Sequence, residues 1–133
     1  MPNLILTGVG WQERVRDKLG VKEAYLPDAS IDQPDIIGVA EANIIETRPD
    51  YESLEGFERI WLESATVCEC AVLLCPSMPA RLPARTQGPH TTIGIEVDWE
   101  KKRAELASER DGLLGRISGY DYFPHFRLSG PSR

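Results

Sequence analysis

The feature that most constrains this chain is a run in its middle. From Ala65 to Cys75 it reads Ala-Thr-Val-Cys-Glu-Cys-Ala-Val-Leu-Leu-Cys, almost entirely small or apolar. Just upstream, Phe57 and Trp61 begin a stripe that Ala65, Cys68, Val72 and Cys75 continue, and Ile60, Val67, Ala71 and Leu74 widen it. Spacings of three and four residues on a stripe this broad predict a helix buried on several sides. Its span is expected to be about Leu54 to Leu74. Ser53 is placed to cap it, although Gly56 stands where a capping box would need Glu or Gln. A chain of 133 residues has room for one domain and one core. The remaining elements must therefore gather around this helix, and neighbouring subunits are expected to supply part of its cover.

The flanking segments fit that demand. Trp11, Val15 and Leu19 recur every four residues in a short helix that Gly20 is suited to end, in the left-handed conformation. Leu26-Pro27-Asp28 is turn chemistry. A second helix is expected from Ile31 or Pro34 to Thr47, capped by Ser30 or Asp32, with Ile36, Ile37, Ala40, Ile44 and Ile45 as its apolar face. Arg48-Pro49-Asp50 stops it, because a residue before proline is pushed out of helical geometry. Asp98 is a good N-cap for a last, heavily charged helix from Trp99 to about Ile117, with Trp99, Leu106, Leu113, Leu114 and Ile117 as its apolar positions.

Between the third and last helices, Pro76, Pro79, Pro83 and Pro89 are expected to forbid continuous helix, leaving Ser77–Pro89 irregular. His90–Val97 alternates and is rich in β-branched residues, which predicts an extended segment or a short strand. The fold class is therefore mainly α: a small bundle of about four helices over residues 1–118, with an extended loop or short β segment at 77–97 before the last helix. An irregular C-terminal tail follows at 119–133. Four aromatics in that tail, Tyr120, Tyr122, Phe123 and Phe126, predict that it docks on something.

Chemistry is harder to place. Cys68, Cys70 and Cys75 are odd in number and clustered, which argues against a disulfide framework and for reduced, buried thiols. On a helix Cys68 and Cys70 point roughly 160° apart, and Cys75 lies about 10 Å along the axis from Cys68, so a closed metal site with His90 is not expected. A nucleophilic thiol needs an adjacent base, and the chain offers His90 and His125, both outside the regular segments. Gly8-Val9-Gly10 lacks the third glycine of a dinucleotide fingerprint, and no nucleophile elbow is present. No cofactor or metal is expected.

The chain carries a net charge of −6, with −8 in residues 1–75 and +2 in residues 76–133. An acidic surface is poorly suited to gripping phosphates, while opposite charge in the two halves lets copies attract head to tail. No apolar run approaches the roughly 20 residues expected of a membrane helix, and the N-terminus lacks the basic start of a secretory signal. The expectation is a protein made in a cytoplasm, with no membrane partner.

Val15-Arg-Asp-Lys-Leu-Gly-Val21, followed by Leu26-Pro-Asp28 and Ile31, resembles the head–tail connector (adaptor) proteins of tailed bacteriophages. The resemblance extends through Ile36-Ile-Gly-Val-Ala-Glu-Ala-Asn-Ile-Ile45 and Leu62-Glu-Ser-Ala-Thr-Val-Cys-Glu-Cys-Ala-Val-Leu-Leu74 to the charged last helix, roughly residues 12–118. It implies a non-enzymatic structural subunit of the virion neck, repeated as a ring, commonly of twelve copies. The ring would sit under the portal protein and contact tail, stopper or terminator proteins. DNA would pass through its centre without specific binding. The loop and tail would supply contacts, which here means Arg81, Arg85, Thr91, Ile93 and Ile95, and Tyr120, Tyr122, Phe123 and Phe126. Two other readings stay open: a small regulatory or inhibitory binding protein of a mobile element, and a thiol-dependent enzyme.

Overall fold

The computed structural model describes residues 3–82 and 97–117. Within them the chain is all helical, with four main helices packed together and no strand among the described residues. Helix α1 spans Trp11–Leu19 and a single turn, α2, spans Asp28–Ile31. A π-helical turn at Pro34–Gly38 runs directly into α3, Val39–Thr47. Helix α4 spans Gly56–Leu74, a 3-10 turn follows at Cys75–Ser77, then α5 at Met78–Arg81, and α6 spans Trp99–Gly115.

Helix α4 is the central element, and α1, α3 and α6 all pack on it. Leu62, Ala65, Val67, Cys68, Cys70, Ala71, Leu74 and Cys75 are buried, met by Val15 and Leu19 of α1, Ala40 and Ile44 of α3, and Leu106 and Leu114 of α6 within one core. The expectation that neighbouring subunits supply part of the cover of this stretch is therefore corrected: the chain itself buries nearly all of it. The apolar side chains left open lie at the other end of the helix, at Phe57 and Ile60.

The helix ends follow sequence chemistry unevenly. Gly20 closes α1 at φ +72°, its N–H donating to the Arg16 carbonyl at 2.8 Å. Only a residue without Cβ adopts that conformation at no cost. Asp98 caps α6, accepting the Lys101 N–H at 3.1 Å. Ser53 does not cap α4: it lies in a 3-10 turn at Tyr51–Ser53, its hydroxyl donating to the Asp50 carbonyl. The helix starts instead at Gly56, whose φ of +63° turns the chain into it. Neither Ser30 nor Asp32 caps the second helix. Gln33 precedes the π turn, and its side-chain amide donates to the Ser30 carbonyl.

The prolines do not end helical geometry where expected. Pro76 and Pro79 each fall in the first turn of a new short helical unit, where the missing N–H has no intrahelical partner to lose. Residues 77–81 are therefore helical rather than irregular. The rest of the expected loop and the strand at His90–Val97 lie outside the described residues, except Leu82 and an exposed Val97. By length and composition alone the helical run Gly56–Arg81 is long and apolar enough to cross a membrane, although Glu58, Arg59, Glu63, Glu69 and Arg81 interrupt it and no uninterrupted apolar run in it approaches about 20 residues. Its most apolar window is 61% buried inside the domain, as a core helix must be.

Buried charges tie the layers. Arg16, nearly fully buried, donates to the Leu26 carbonyl at 3.0 Å and to Asp28 at 2.8 Å, while Glu13 closes its other side. This clamps the Leu26-Pro27-Asp28 turn onto α1. Burial lowers the Arg16 pKa, but the hydrogen bonds to Asp28 and Glu13 outweigh it and the net direction is up. Glu69 of α4 accepts from Asn43 of α3 at 2.8 Å and from Arg110 of α6. Glu41 of α3 accepts three backbone N–H groups, from Leu4, Ile5 and Leu6 at 2.7–2.9 Å, and so anchors the N-terminal segment. Glu41→Gln would set an NH2 group against those donors. We expect a loss of roughly 1–3 kcal/mol in urea unfolding, the cost of leaving buried N–H groups unpaired.

Candidate interaction surface

Two concavities flank α3. The larger, about 580 Å³, is mostly apolar and is lined by Leu4, Pro34, Ile37, Gly38, Ala42 and Ile45, with Asp32 and Glu46 among the polar residues at its edge. Two local features build it. The π turn widens the helix where Pro34, Ile37 and Gly38 sit, a geometry often found at functional positions. The N-terminal segment, held by Glu41, forms the opposite wall and leaves Leu4 51% exposed. Pinning the backbone of residues 4–6 to a carboxylate presents an apolar side chain at a groove mouth at little entropic cost.

The smaller concavity, about 340 Å³, lies between α3 and α6 and is polar. Its lining includes Asn43, Glu46, Thr47, Glu69, Arg110 and Asp111. Arg110 donates to both Glu69 and Asp111, and those hydrogen bonds raise its pKa against the lowering effect of burial. Its charge is thus committed to neighbours within the chain. The cleft has ion-paired walls but no pairing of nucleophile and base.

The three thiols are free and buried. The Cys68 thiol is pushed up to about 12, first by burial and then by the Glu109 carboxylate, against the opposing charge of Lys18. Cys70 is raised mainly by burial and also by Glu41 and Glu69, and Cys75 by burial against Lys102 and Arg103. A thiol so held stays protonated and is a poor nucleophile. Among the described residues no group of three His, Cys, Asp or Glu side chains is placed to hold a metal ion.

Of the nine residues expected at contacts, one is described. Arg81 ends α5, donating through Nε to Ser77 at 2.9 Å and through Nη1 to Ser30 at 3.1 Å, which ties α5 to α2. Part of its hydrogen-bonding capacity is therefore spent inside the chain. Arg85, Thr91, Ile93, Ile95, Tyr120, Tyr122, Phe123 and Phe126 lie outside the described residues. Sequence reasoning missed Leu4 and the groove. Leu4 sits in an apolar run too short to classify, and the π turn has no sequence mark beyond Pro34 at its start. No family model matches the chain, nor does any curated protein or solved structure.

The thiol shifts carry a pH consequence. The folded values lie above the ordinary value of about 9, so their contribution to stability is complete below that pH and is lost as pH rises toward about 12. Urea midpoints should therefore fall from pH 9 upward, less steeply in Cys68→Ala and Cys70→Ala variants. At pH 8 a thiol reagent should modify none of the three cysteines in the native chain and all three after unfolding. A single fast-reacting native thiol would overturn their purely structural assignment.

Proposed function

We propose that this chain is a structural connector subunit that works by contacting other protein chains, of the kind found between the head and tail of bacteriophages. The observation that carries the reading is the apolar groove beside α3, bordered by the half-exposed Leu4. The chain completes its own core, yet keeps this surface open and spends a buried carboxylate, Glu41, on fixing one of its walls. A groove of this shape fits an apolar side chain or helix edge of a partner better than a polar substrate.

The resemblance in the first two helices and in α4 supplies the biological setting: copies of the chain in a ring, the portal on one side and tail components on the other. In a ring each subunit offers two different patches, so one groove can be filled by the next copy. The acidic balance of residues 1–75 suits a wall that lets DNA pass without sticking.

The test uses Ala42→Arg, a long side chain placed at an exposed helical position that lines the groove. The variant should keep its helical circular dichroism, and its incorporation into particles should fall about tenfold or more, corresponding to at least 1.4 kcal/mol of lost contact. Imaging of particles labelled on the wild-type chain should place it at the portal vertex. Normal incorporation of the variant would remove the groove from the interface, and a wild-type chain absent from that vertex would overturn the connector role itself.

A further inference from the structure

The groove beside α3 has a direction as well as an apolar floor. Pro34, Gly38, Ala42 and Glu46 follow one another at four-residue steps along its helical wall, with Ile37 and Ile45 beside them. At the helical rise these residues span roughly 18 Å, enough for about three turns of a second helix. Leu4 stands on the opposite wall, half exposed, where the bonds from Glu41 to the backbone of residues 4–6 hold it. Neither wall offers a free strand edge. One is helix, and in the other the N–H groups of residues 4–6 are taken by Glu41. An extended peptide would find no row of backbone groups to pair with, whereas a helix brings its own hydrogen bonds complete.

The charge around the groove is of one sign. Asp32 and Glu46 line it from opposite ends of the helical wall, both exposed, and neither enters an ion pair among the described residues. Among the described residues no Lys or Arg lines it. A ligand seated on the apolar floor therefore brings its flanks against carboxylates that favour positive charge. A second copy of this chain meets that condition poorly. Two grooves facing each other across a two-fold axis would set carboxylate against carboxylate. The exposed Phe57 and Ile60 at the start of α4 come with Glu55, Glu58 and Glu63 against Arg59 alone.

We propose that the groove takes a cationic amphipathic helix of a different protein. Its apolar side chains, at three- and four-residue spacing, lie on Leu4, Ile37 and Ile45, and its Lys or Arg side chains lie on Asp32 and Glu46. This rests on the contact role proposed above and names the chemistry of the partner. Apolar burial supplies affinity, and the two carboxylates select which helices are admitted.

The test titrates the full-length chain with a synthetic amphipathic helix of about 18 residues, Leu on one face and Lys on its flanks, and with the same peptide carrying Glu for Lys. The Lys peptide should bind and shift the amide resonances of Leu4 and residues 32–46, and the Glu peptide should bind at least about tenfold more weakly. Asp32→Asn with Glu46→Gln should weaken the Lys peptide about fivefold. Glu23→Gln with Glu52→Gln makes the same change of net charge at exposed positions that do not line the groove, and should weaken it less than about twofold. Equal weakening by both pairs, shifts confined to other residues, or no binding would overturn the proposal. So would self-association of the chain that Asp32→Asn with Glu46→Gln strengthens, which would assign the groove to a second copy. In particles, incorporation lost with Ala42→Arg but unchanged with Asp32→Asn and Glu46→Gln would overturn the cationic partner alone and leave the contact role standing. Normal incorporation of Ala42→Arg would overturn both.

Discussion

Everything in this fold turns on one carboxylate in an apolar helix. Glu69 lies in the middle of the small-residue run of α4, almost fully buried, and a charge there is tolerable only if it is met by partners. Asn43 and Arg110 meet it, one from α3 and one from α6. Neighbouring residues on α4 are small and nearly alike, so packing alone discriminates weakly between one alignment of α6 and another a turn away. The carboxylate removes that freedom, because any other alignment of α6 leaves it buried without its cationic partner Arg110. Lys18 and Glu109, paired across α1 and α6, fix the same alignment from a second side.

Two further buried ionic groups, Arg16 and Glu41, act on segments that have little core of their own. Arg16 holds the Leu26-Pro27-Asp28 turn, and Glu41 holds residues 4–6. In each case a long side chain from a helix substitutes for the backbone pairing that an irregular segment lacks. The apolar groove beside α3 exists because of the second of these, and the acidic character of the chain is partly put to structural use rather than left in solvent.

Much of this was legible in the sequence. The four main helices, the left-handed glycine after α1, the Asp98 cap and the central position of the helix around residue 65 follow from periodicity and end chemistry. The failures have physical reasons. Ser53 and Ser30 were plausible caps by residue type, but cap geometry depends on the φ of residues such as Gly56 that no residue type dictates. Pro76 and Pro79 read as breakers, because a first-turn proline and an interior proline look the same in a sequence. The groove was not legible at all, since it is made by a π turn and by a segment 35 to 37 residues away along the chain. The face bearing Phe57 and Ile60 was read as buried; what the pattern could not show is that α6 ends a turn too soon to reach it.

The relaunching of helix at Pro76 and Pro79 has a consequence for size. Gly56–Arg81 forms one nearly continuous rod of 26 residues, which at the helical rise is about 40 Å from end to end. No other helix among the described residues approaches that length. Any face that this rod offers to another molecule can therefore be up to about 40 Å long, with its ends held at a fixed separation by one run of helix.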